Sequence, residues 1–303
     1  MINKKGLLFL AICVLMFSIA GCNSTKNKLK IVESWKKATS VGSINKLSEE
    51  KFDELVSYGF TDIEVGIGRI RSSEALDNLK SNVKKTIALA EKKNINIWSI
   101  HIPYGRDIDI SLVDISEREK AINEVILIIE TCKELKPEKL VIHGSFEPVK
   151  DEERAERLKA CKASLKILVR KANDYNMQIA VECLPRTCIG NTSIEMLSIL
   201  KEVEGLVVCC DVNHMLKESP EEFINAVGSA IVTLHISDYD GIDERHWLPG
   251  EGIIKWNNVI ENLVSAGFKG PFLFESKGSI EEKALCWDKL KEDYKLYLEE
   301  GNI

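Results

Sequence analysis

The sequence predicts an α/β fold, a (β/α)8 TIM barrel that spans residues 29–303. First, short β-rich runs alternate with amphipathic stretches of helical period along this range. Second, most of these runs are continuously apolar, as expected for parallel strands covered on both faces. Third, there are eight of them, at 29–34, 60–66, 95–101, 138–143, 177–182, 206–211, 230–236 and 271–275. An open doubly wound sheet is disfavoured because no Gly-rich dinucleotide turn follows the first strand.

Capping motifs mark where helices begin between the predicted strands. Pro220 occupies the first position of one such helix, which proline favours because its fixed φ angle suits a helix. Four segments fit the capping box, in which a Ser or Thr and a Glu three residues later satisfy each other's backbone amides. They are Ser116-x-x-Glu119, Thr192-x-x-Glu195, Ser219-x-x-Glu222 and Ser279-x-x-Glu282.

The N-terminus predicts export. Two lysines precede an apolar run that is shorter than the ~20 residues needed to cross a bilayer comfortably. Ile19-Ala20-Gly21-Cys22 resembles the lipobox of bacterial lipoproteins, in which the cysteine is lipidated after cleavage. We therefore expect a signal peptide over 1–21, a linker over 22–28 with lipidated Cys22, and an extracytoplasmic, membrane-anchored lipoprotein of a bacterium. The alternative is an ordinary signal peptide or an uncleaved anchor.

The charge of the chain argues against a nucleic-acid partner. The formal net charge is −6, and it becomes −8 when residues 1–21, with two lysines and no acidic residue, are left out. Binding to polyanions depends mainly on lysine and arginine contacts to phosphate. We therefore expect no nucleic-acid partner for this acidic domain.

The cysteines show no metal-binding spacing. Seven lie beyond Cys22, no two form a CxxC pair, and a zinc ribbon is therefore disfavoured. Export permits disulfides, and Cys183 and Cys188 could pair across a loop. The alternative, favoured for most of the seven, is that they are small buried apolar residues.

Titratable side chains recur where the apolar runs end. All five histidines lie at or beside such ends: His101, His143, His214, His235 and His246. In a barrel, side chains at the carboxyl ends of the strands converge on one pocket. The residues that close strands five to eight are Glu182, Asp211, His235 and Glu275. Three carboxylates and one imidazole form a donor set suited to Mn²⁺, Co²⁺, Zn²⁺ or Mg²⁺.

Seven short motifs between residues 95 and 276 resemble those of the xylose isomerase-like TIM barrels. That family comprises sugar isomerases and epimerases together with their relative endonuclease IV. The motifs are, in order, HIPYG, VIHGS, VECLP, CDVNH, LHISD, HWLPGEG and FES. The resemblance implies that His214 is a substrate-binding histidine. It also implies a set of metal ligands: Glu182, Asp211, His235 and Glu275.

Further residues near the strand ends are candidates for the substrate pocket. Three histidines either contact the substrate or add metal ligands: His101, His143 and His246. Trp247 follows strand seven and is expected to stack on a sugar ring. Arg245 is expected to hold a substrate hydroxyl or carboxylate, with a solvated charge as the alternative. Glu64, at the end of strand two, could also face the pocket, but a solvated or structural role is favoured.

These residues predict a metal-dependent isomerase or epimerase of a free sugar or related hydroxy-ketone, acting through an enediolate. Glu182 and Glu275 are the expected catalytic pair, one removing the α-proton and the other returning it. Positioned acid–base groups typically give ~10²–10⁴-fold acceleration. A Lewis-acid metal and substrate positioning are expected to supply the rest.

Several alternatives remain open. An endonuclease IV-like phosphodiesterase uses a three-metal cluster, and this chain has a candidate at every matching ligand position. Glu244 stands where that family carries an aspartate, which puts the third metal in doubt, and the acidic charge also disfavours DNA binding. A carbohydrate lyase or dehydratase would share the first proton transfer, and a sugar-binding lipoprotein without catalysis is a further possibility. An oligomer is possible because the outer helices are exposed.

Overall fold

The computed structural model describes residues 25–301. The expected signal peptide, 1–21, and Cys22 lie outside these residues. Within the part that is described, no helix is both long enough and apolar enough to span a membrane.

Eight strands form the centre of the protein. They are β1 (Lys37–Ser43), β2 (Asp62–Gly66), β3 (Asn96–His101), β4 (Lys139–His143), β5 (Gln178–Glu182), β6 (Val207–Asp211), β7 (Ile231–His235) and β8 (Phe272–Phe274). All paired strands are parallel, in the order β7-β6-β5-β4-β3-β2-β1-β8. A parallel bridge between Ile236 and Phe274 joins the two ends of this sheet. The predicted (β/α)8 barrel is confirmed, and strands two to eight lie within two residues of their predicted bounds.

The predicted first strand is wrong. Residues 25–34 are helical and form α1, so 25–28 of the expected linker are part of a helix. Val32 and Trp35 are 2% and 4% exposed, and their three-residue spacing fits one face of a helix. The true first strand, KATSVGS, has no apolar run and buries the small side chains of Ala38 and Thr39 instead. Hydrophobic pattern alone therefore does not reveal it.

A helix or helical segment follows each strand and covers the outside of the barrel. These helices are α2 (Glu49–Ser57), α3 (Ser73–Lys93), α4 (Ile115–Cys132), α5 (Asp151–Asn173), α6 (Ser193–Glu202), α7 (Pro220–Val227), α8 (Trp256–Ser265) and α9 (Ile280–Glu299). Ser219 and Ser279 form complete capping boxes, and Thr192 caps α6. At α4 the cap is Asp114, whose carboxylate accepts the amide of Glu117 at 3.0 Å. Ser116 lies inside that helix, because an aspartate two residues earlier is an equally good cap.

The direction of side chains along the strands explains where the polar groups lie. Residues two apart in a strand share a face. Val141, Ala180 and Cys209 form a small cluster separate from the large core between sheet and helices. Two residues further along the same strands come polar side chains: His143, Glu182 and Asp211. The strand ends therefore present these groups to one space at the carboxyl end of the barrel.

Candidate metal centre and active site

Four of the predicted ligands meet at the carboxyl ends of β5 to β8. We call them the four-residue centre: Glu182, Asp211, His235 and Glu275. One ligand atom from each lies within 4.8 Å of the corresponding atoms of the other three. Nδ1 of His235 is 2.9 Å from Glu275 Oε2 and 3.3 Å from Glu182 Oε1. The fold therefore brings together polar side chains from the ends of four separate strands.

The four-residue centre fits a divalent cation. Oδ2 of Asp211 is buried and has no hydrogen-bond partner among residues 25–301. It lies 3.4 Å from Nδ1 of His214 and 3.8 Å from Nδ1 of His235. A buried carboxylate oxygen without a partner is costly, and a cation between these groups would supply one. Three carboxylates with one imidazole are suitable ligands for such an ion.

Glu64 lies behind His235 and fixes its orientation. Glu64 is fully buried, so the solvated role expected from the sequence is wrong and the structural one is correct. Its Oε1 lies 3.0 Å from Nε2 of His235, and its Oε2 accepts a hydrogen bond of 2.8 Å from Ser99 Oγ. A carboxylate at Nε2 takes the ring N–H there and leaves Nδ1 directed at the other three ligands.

His101 and His143 both contact the second carboxylate oxygen of Glu182, and the ring of His101 also stacks on that of His235. The Nε2 atoms of His101 and His143 are 3.1 Å and 3.0 Å from Glu182 Oε2. These two histidines and Glu182 form a second group whose ligand atoms lie within 4.8 Å of one another. The ring of Tyr104 stacks on that of His143, with centroids 4.2 Å apart and planes 10° from parallel. Both expected roles of the two histidines, substrate contact and metal ligation, are compatible with this position.

His214, Glu244 and His246 form a third group of the same kind. Glu244 Oε2 lies 3.0 Å from Nε2 of His214 and 3.7 Å from Nε2 of His246. Nδ1 of His214 faces the carbonyl of Cys183 at 3.0 Å, and Nδ1 of His246 faces that of Glu275 at 3.1 Å. In both rings Nε2 is therefore the atom that points towards Glu244.

The charges of imidazoles and carboxylates in this site shift one another's pKa values. Burial raises the pKa of Asp211 to about 6. Burial acts in the same direction on Glu275, but the positive charge of His235 outweighs it and holds that pKa at about 2. Burial would lower the pKa of His214, yet the carboxylates of Asp211 and Glu244 raise it to about 10. A divalent cation compensates clustered carboxylates in the same way, with release of protons.

A pocket of about 280 Å³ opens above these groups. This volume is at the small end of the range for ligand sites. Its lining residues are His101, Tyr104, His143, Ser145, Phe146, Glu147, Glu182, Leu184, Pro185, Arg186, Cys188, His214, Glu244, His246 and Glu275. The four histidines expected near the substrate all belong to this lining.

Two of the expected substrate contacts lie elsewhere. Arg245 does not line the pocket, and its Nε pairs with Asp240 Oδ2 at 2.7 Å. Trp247 is also absent from the lining, and its backbone pairs with that of Asp238. Tyr104 and Arg186 line the pocket instead, and neither was selected from the sequence. Tyr104 could have been noticed, because it follows His101 within the HIPYG motif.

The seven cysteines beyond residue 25 are all free thiols. Cys183 and Cys188 are both buried and do not form a disulfide. The sulfur of Cys183 instead accepts a hydrogen bond of 3.1 Å from the backbone amide of Asp211. The alternative reading, small buried residues, is therefore the correct one for this pair.

Residues 52–291 match the family described as Xylose isomerase-like TIM barrel. The uncharacterized protein MJ1311 of Methanocaldococcus jannaschii is 28% identical over 229 residues, 72% of this chain and 75% of that protein.

Two solved structures show the same fold. A D-tagatose 3-epimerase-like protein superposes with a TM-score of 0.73 at 23% identity, covering 88% of this chain and 100% of its own. D-Psicose 3-epimerase from Clostridium cellulolyticum H10, crystallised with D-tagatose, superposes with a TM-score of 0.67 at 16% identity, covering 87% and 97%. With four-fifths of its length matched, the chain belongs to the xylose isomerase-like TIM barrel family.

Proposed function

We propose that the protein is a divalent-metal-dependent isomerase or epimerase of a free sugar or a related hydroxy-ketone. The observation that carries the proposal is the approach of Glu182 and Glu275 to the same atom, Nδ1 of His235, at 3.3 Å and 2.9 Å. Both glutamates also line a pocket of small-ligand size. Family membership, and the likeness to structures described as sugar epimerases, support a carbohydrate substrate.

The four-residue centre is proposed to hold the cation. The orphan oxygen of Asp211 and the surrounding carboxylates suit Mn²⁺, Co²⁺, Zn²⁺ or Mg²⁺. When bound, such an ion polarises a carbonyl group as a Lewis acid and so acidifies the neighbouring C–H bond.

Glu182 and Glu275 are proposed to carry the proton. They come from β5 and the end of β8, with two strands between them, so they approach the pocket from different directions. Epimerisation needs this, because the proton leaves one face of a carbon and returns to the other. Glu182 is 1% exposed and Glu275 29% exposed in its side chain. A carboxylate is a weak base towards a C–H bond, so the substrate must be strongly polarised before it reacts.

The remaining lining residues are proposed to orient the sugar. His101, His143, His214 and His246 can hydrogen-bond to hydroxyl groups. Tyr104, 59% exposed and stacked on His143, takes the stacking role expected of Trp247. A planar aromatic face suits the C–H face of a sugar, while the imidazoles suit its hydroxyls.

Exchange of carbon-bound hydrogen tests the proposal. Metal-loaded protein is incubated with a panel of ketoses in D₂O and followed by proton NMR. We expect deuterium at one carbon of one ketose, and Glu275→Gln should abolish this exchange. Glu292→Gln, at an exposed position of α9, should leave it unchanged. Exchange that persists at the wild-type rate in Glu275→Gln contradicts the assignment.

A second candidate function is a metal phosphodiesterase. The observation in its favour is that three further ligand groups overlap or flank the four-residue centre among residues 25–301, and that Glu182 belongs to one of them. Such an arrangement has room for more than one ion, as phosphoryl transfer often requires. Several zinc ions per chain, with cleavage of bis-p-nitrophenyl phosphate, would favour this function over the isomerase.

A lyase or dehydratase and a non-catalytic sugar-binding protein are separated by the same NMR experiment. A lyase or dehydratase removes the same proton but expels a substituent, so a new vinylic or methylene signal replaces simple exchange. A binding protein perturbs ketose resonances without any exchange.

Lipid anchoring is proposed from the Ile19-Ala20-Gly21-Cys22 motif alone. In a bacterial host, Cys22→Ser should prevent incorporation of labelled palmitate and release the protein from the membrane fraction. Equal labelling of the variant and the wild type would contradict the lipoprotein assignment.

A further inference from the structure

Arg186 joins three loops at the mouth of the pocket. Its guanidinium binds Glu147 in a bidentate manner, with Nε at 2.9 Å and Nη2 at 2.7 Å from carboxylate oxygens. Its Nη1 lies 2.7 Å from Asp243 Oδ1 and also contacts Glu244 Oε1. Arg186 follows β5, whereas its partners follow β4 and β7. One cation is thus shared among three carboxylates.

Glu244 therefore has two competing sets of partners. Its Oε1 meets Arg186, while its Oε2 faces the Nε2 atoms of His214 and His246 at 3.0 Å and 3.7 Å. The last three residues form the His214–Glu244–His246 cluster, whose ligand atoms lie within 4.8 Å of one another. The spacing of these three ligand atoms is therefore also compatible with a bound cation.

The two clusters differ in their cationic neighbours. Within residues 25–301, no lysine or arginine forms an ion pair with any member of the four-residue centre. The only carboxylate of the His214–Glu244–His246 cluster, in contrast, is already paired with Arg186. Arg186 has a φ of 49°, a conformation that a non-glycine residue adopts only where its surroundings hold it.

We propose that Arg186 acts as a built-in cation that keeps a divalent ion out of the His214–Glu244–His246 cluster. The guanidinium pairs with Glu244 Oε1, so it lies on the side of that carboxylate away from the two imidazoles. A divalent ion in the cluster would face this positive charge across one carboxylate, a distance much shorter than the screening length in physiological salt. The two imidazoles, which are neutral when they bind a metal, cannot offset it.

This inference deepens the proposed function and rests on it, because it confines the ion of an isomerase to the four-residue centre. It also distinguishes the two candidate functions, because Arg186 would leave one ion for an isomerase, whereas the phosphodiesterase would hold more than one. With Arg186 in place, the cluster beside the pocket is available to hydrogen-bond a substrate. Without it, the cluster becomes a further metal site.

Metal content measured as a difference between variants tests the inference. Wild type, His246→Ala, Arg186→Gln and the double variant Arg186→Gln/His246→Ala are dialysed against buffered Zn²⁺ and analysed by mass spectrometry. Gln retains polar hydrogen-bonding groups but no charge, and Arg186→Met is a second variant if Gln perturbs folding. Arg245→Met is the control, since that arginine pairs with Asp240 outside the cluster.

We expect wild type and His246→Ala to bind equal amounts of zinc. Arg186→Gln should bind one more ion than wild type, with at least tenfold tighter zinc binding at the His214–Glu244–His246 cluster. The double variant should not bind this additional ion. Arg245→Met should gain none. The inference is overturned if wild type binds one ion more than His246→Ala, if Arg186→Gln gains none, or if Arg245→Met gains an ion as well. The proposed function is contradicted separately if Asp211→Asn binds as much zinc as the wild type.

Discussion

At the scale of single residues, the donor atom of His235 depends on the carboxylate behind it. Nε2 of His235 lies against Glu64, which leaves Nδ1 free to face Glu182 and Glu275. An imidazole held in this way is a better ligand, because the anion behind it fixes the tautomer and raises the basicity of the ring. Glu64 therefore acts on the proposed ion without touching it.

Replacement of this carboxylate should weaken metal binding. Glu64→Gln keeps the size of the side chain but removes its charge, so we expect about 10–100-fold weaker Mn²⁺ affinity by isothermal titration calorimetry. Ser99→Ala, which removes the hydrogen bond to the other oxygen of Glu64, should have a smaller effect. An unchanged affinity in Glu64→Gln would show that the contact is not used.

A second residue-scale prediction concerns Lys283, which is 6% exposed with its Nζ 3.2 Å from Thr39 Oγ1. Burial and the charge of Lys51 lower its pKa to about 8. An unfolded lysine titrates near ~10.4, so between these values the unfolded chain binds more protons than the folded one. Stability therefore rises with pH across this window and is reduced below it.

Lys283→Met should remove this pH dependence. At pH 7 we expect its free energy of unfolding, from urea titration, to exceed that of the wild type by on the order of 3 kcal/mol. The difference should shrink as the pH approaches 10. Lys289→Met, at an exposed site on the same helix, is the control. A difference that does not vary with pH would contradict the buried-charge explanation.

The residues of the site differ in how far the sequence reveals them. Glu182, Asp211, His235 and Glu275 could be predicted to meet, because each ends a strand and the carboxyl ends of parallel strands share one pocket. Contacts between loops, such as that of Arg186 with Glu244, depend on how separate loops pack. No spacing in the sequence encodes that, so the sequence does not indicate Arg186 as a residue of the pocket.

At the scale of elements, the loop between β7 and α8 is organised around one buried carboxylate. Asp238 is 0% exposed and accepts hydrogen bonds from the amides of Gly250 and Ile254 and from the indole of Trp256, at 2.8, 3.2 and 2.9 Å. This loop carries Glu244 and His246 to the pocket. The position of those two side chains thus depends on hydrogen bonds between the segments that precede and follow them in the same loop.

Gly252 is the tightest point of this loop. A Cβ at this position would lie 2.2 Å from the carbonyl oxygen of Tyr239, so Gly252→Ala must displace backbone. We expect a loss of roughly 2 kcal/mol or more in the free energy of unfolding, measured by urea titration. Gly250→Ala meets nothing within 4 Å, has φ of 93° and should cost only about 1 kcal/mol for backbone strain. Equal losses would show that the close contact is not the cause.

Strands two to eight could be predicted from the sequence, whereas β1 could not, for a physical reason. Most of strands two to eight have continuous apolar runs because helices cover one face and the barrel interior the other. β1 pairs with β2 and β8 through backbone hydrogen bonds and buries only Ala38 and Thr39. An apolar run that precedes it, LKIVES, has enough hydrophobic residues for a strand but places them on one face of α1.

At the scale of the whole molecule, the barrel brings together ligands that lie far apart in the chain. The bridge between Ile236 and Phe274 closes the barrel and positions one of the proposed ligands. Glu275 follows Phe274 and donates its amide to the carbonyl of Ile236 at 3.0 Å. This bond sets Glu275 beside His235, one residue before Ile236. The proposed metal site therefore depends on the closed barrel and not on any single loop.

Anomalous diffraction from crystals soaked in Mn²⁺ tests the central claim most directly. We expect a single strong peak among Glu182, Asp211, His235 and Glu275, at about 2.0–2.3 Å from oxygen and nitrogen atoms. Asp211→Asn should abolish the peak. A crystal with bound manganese elsewhere, and none within bonding distance of these four side chains, would contradict the account.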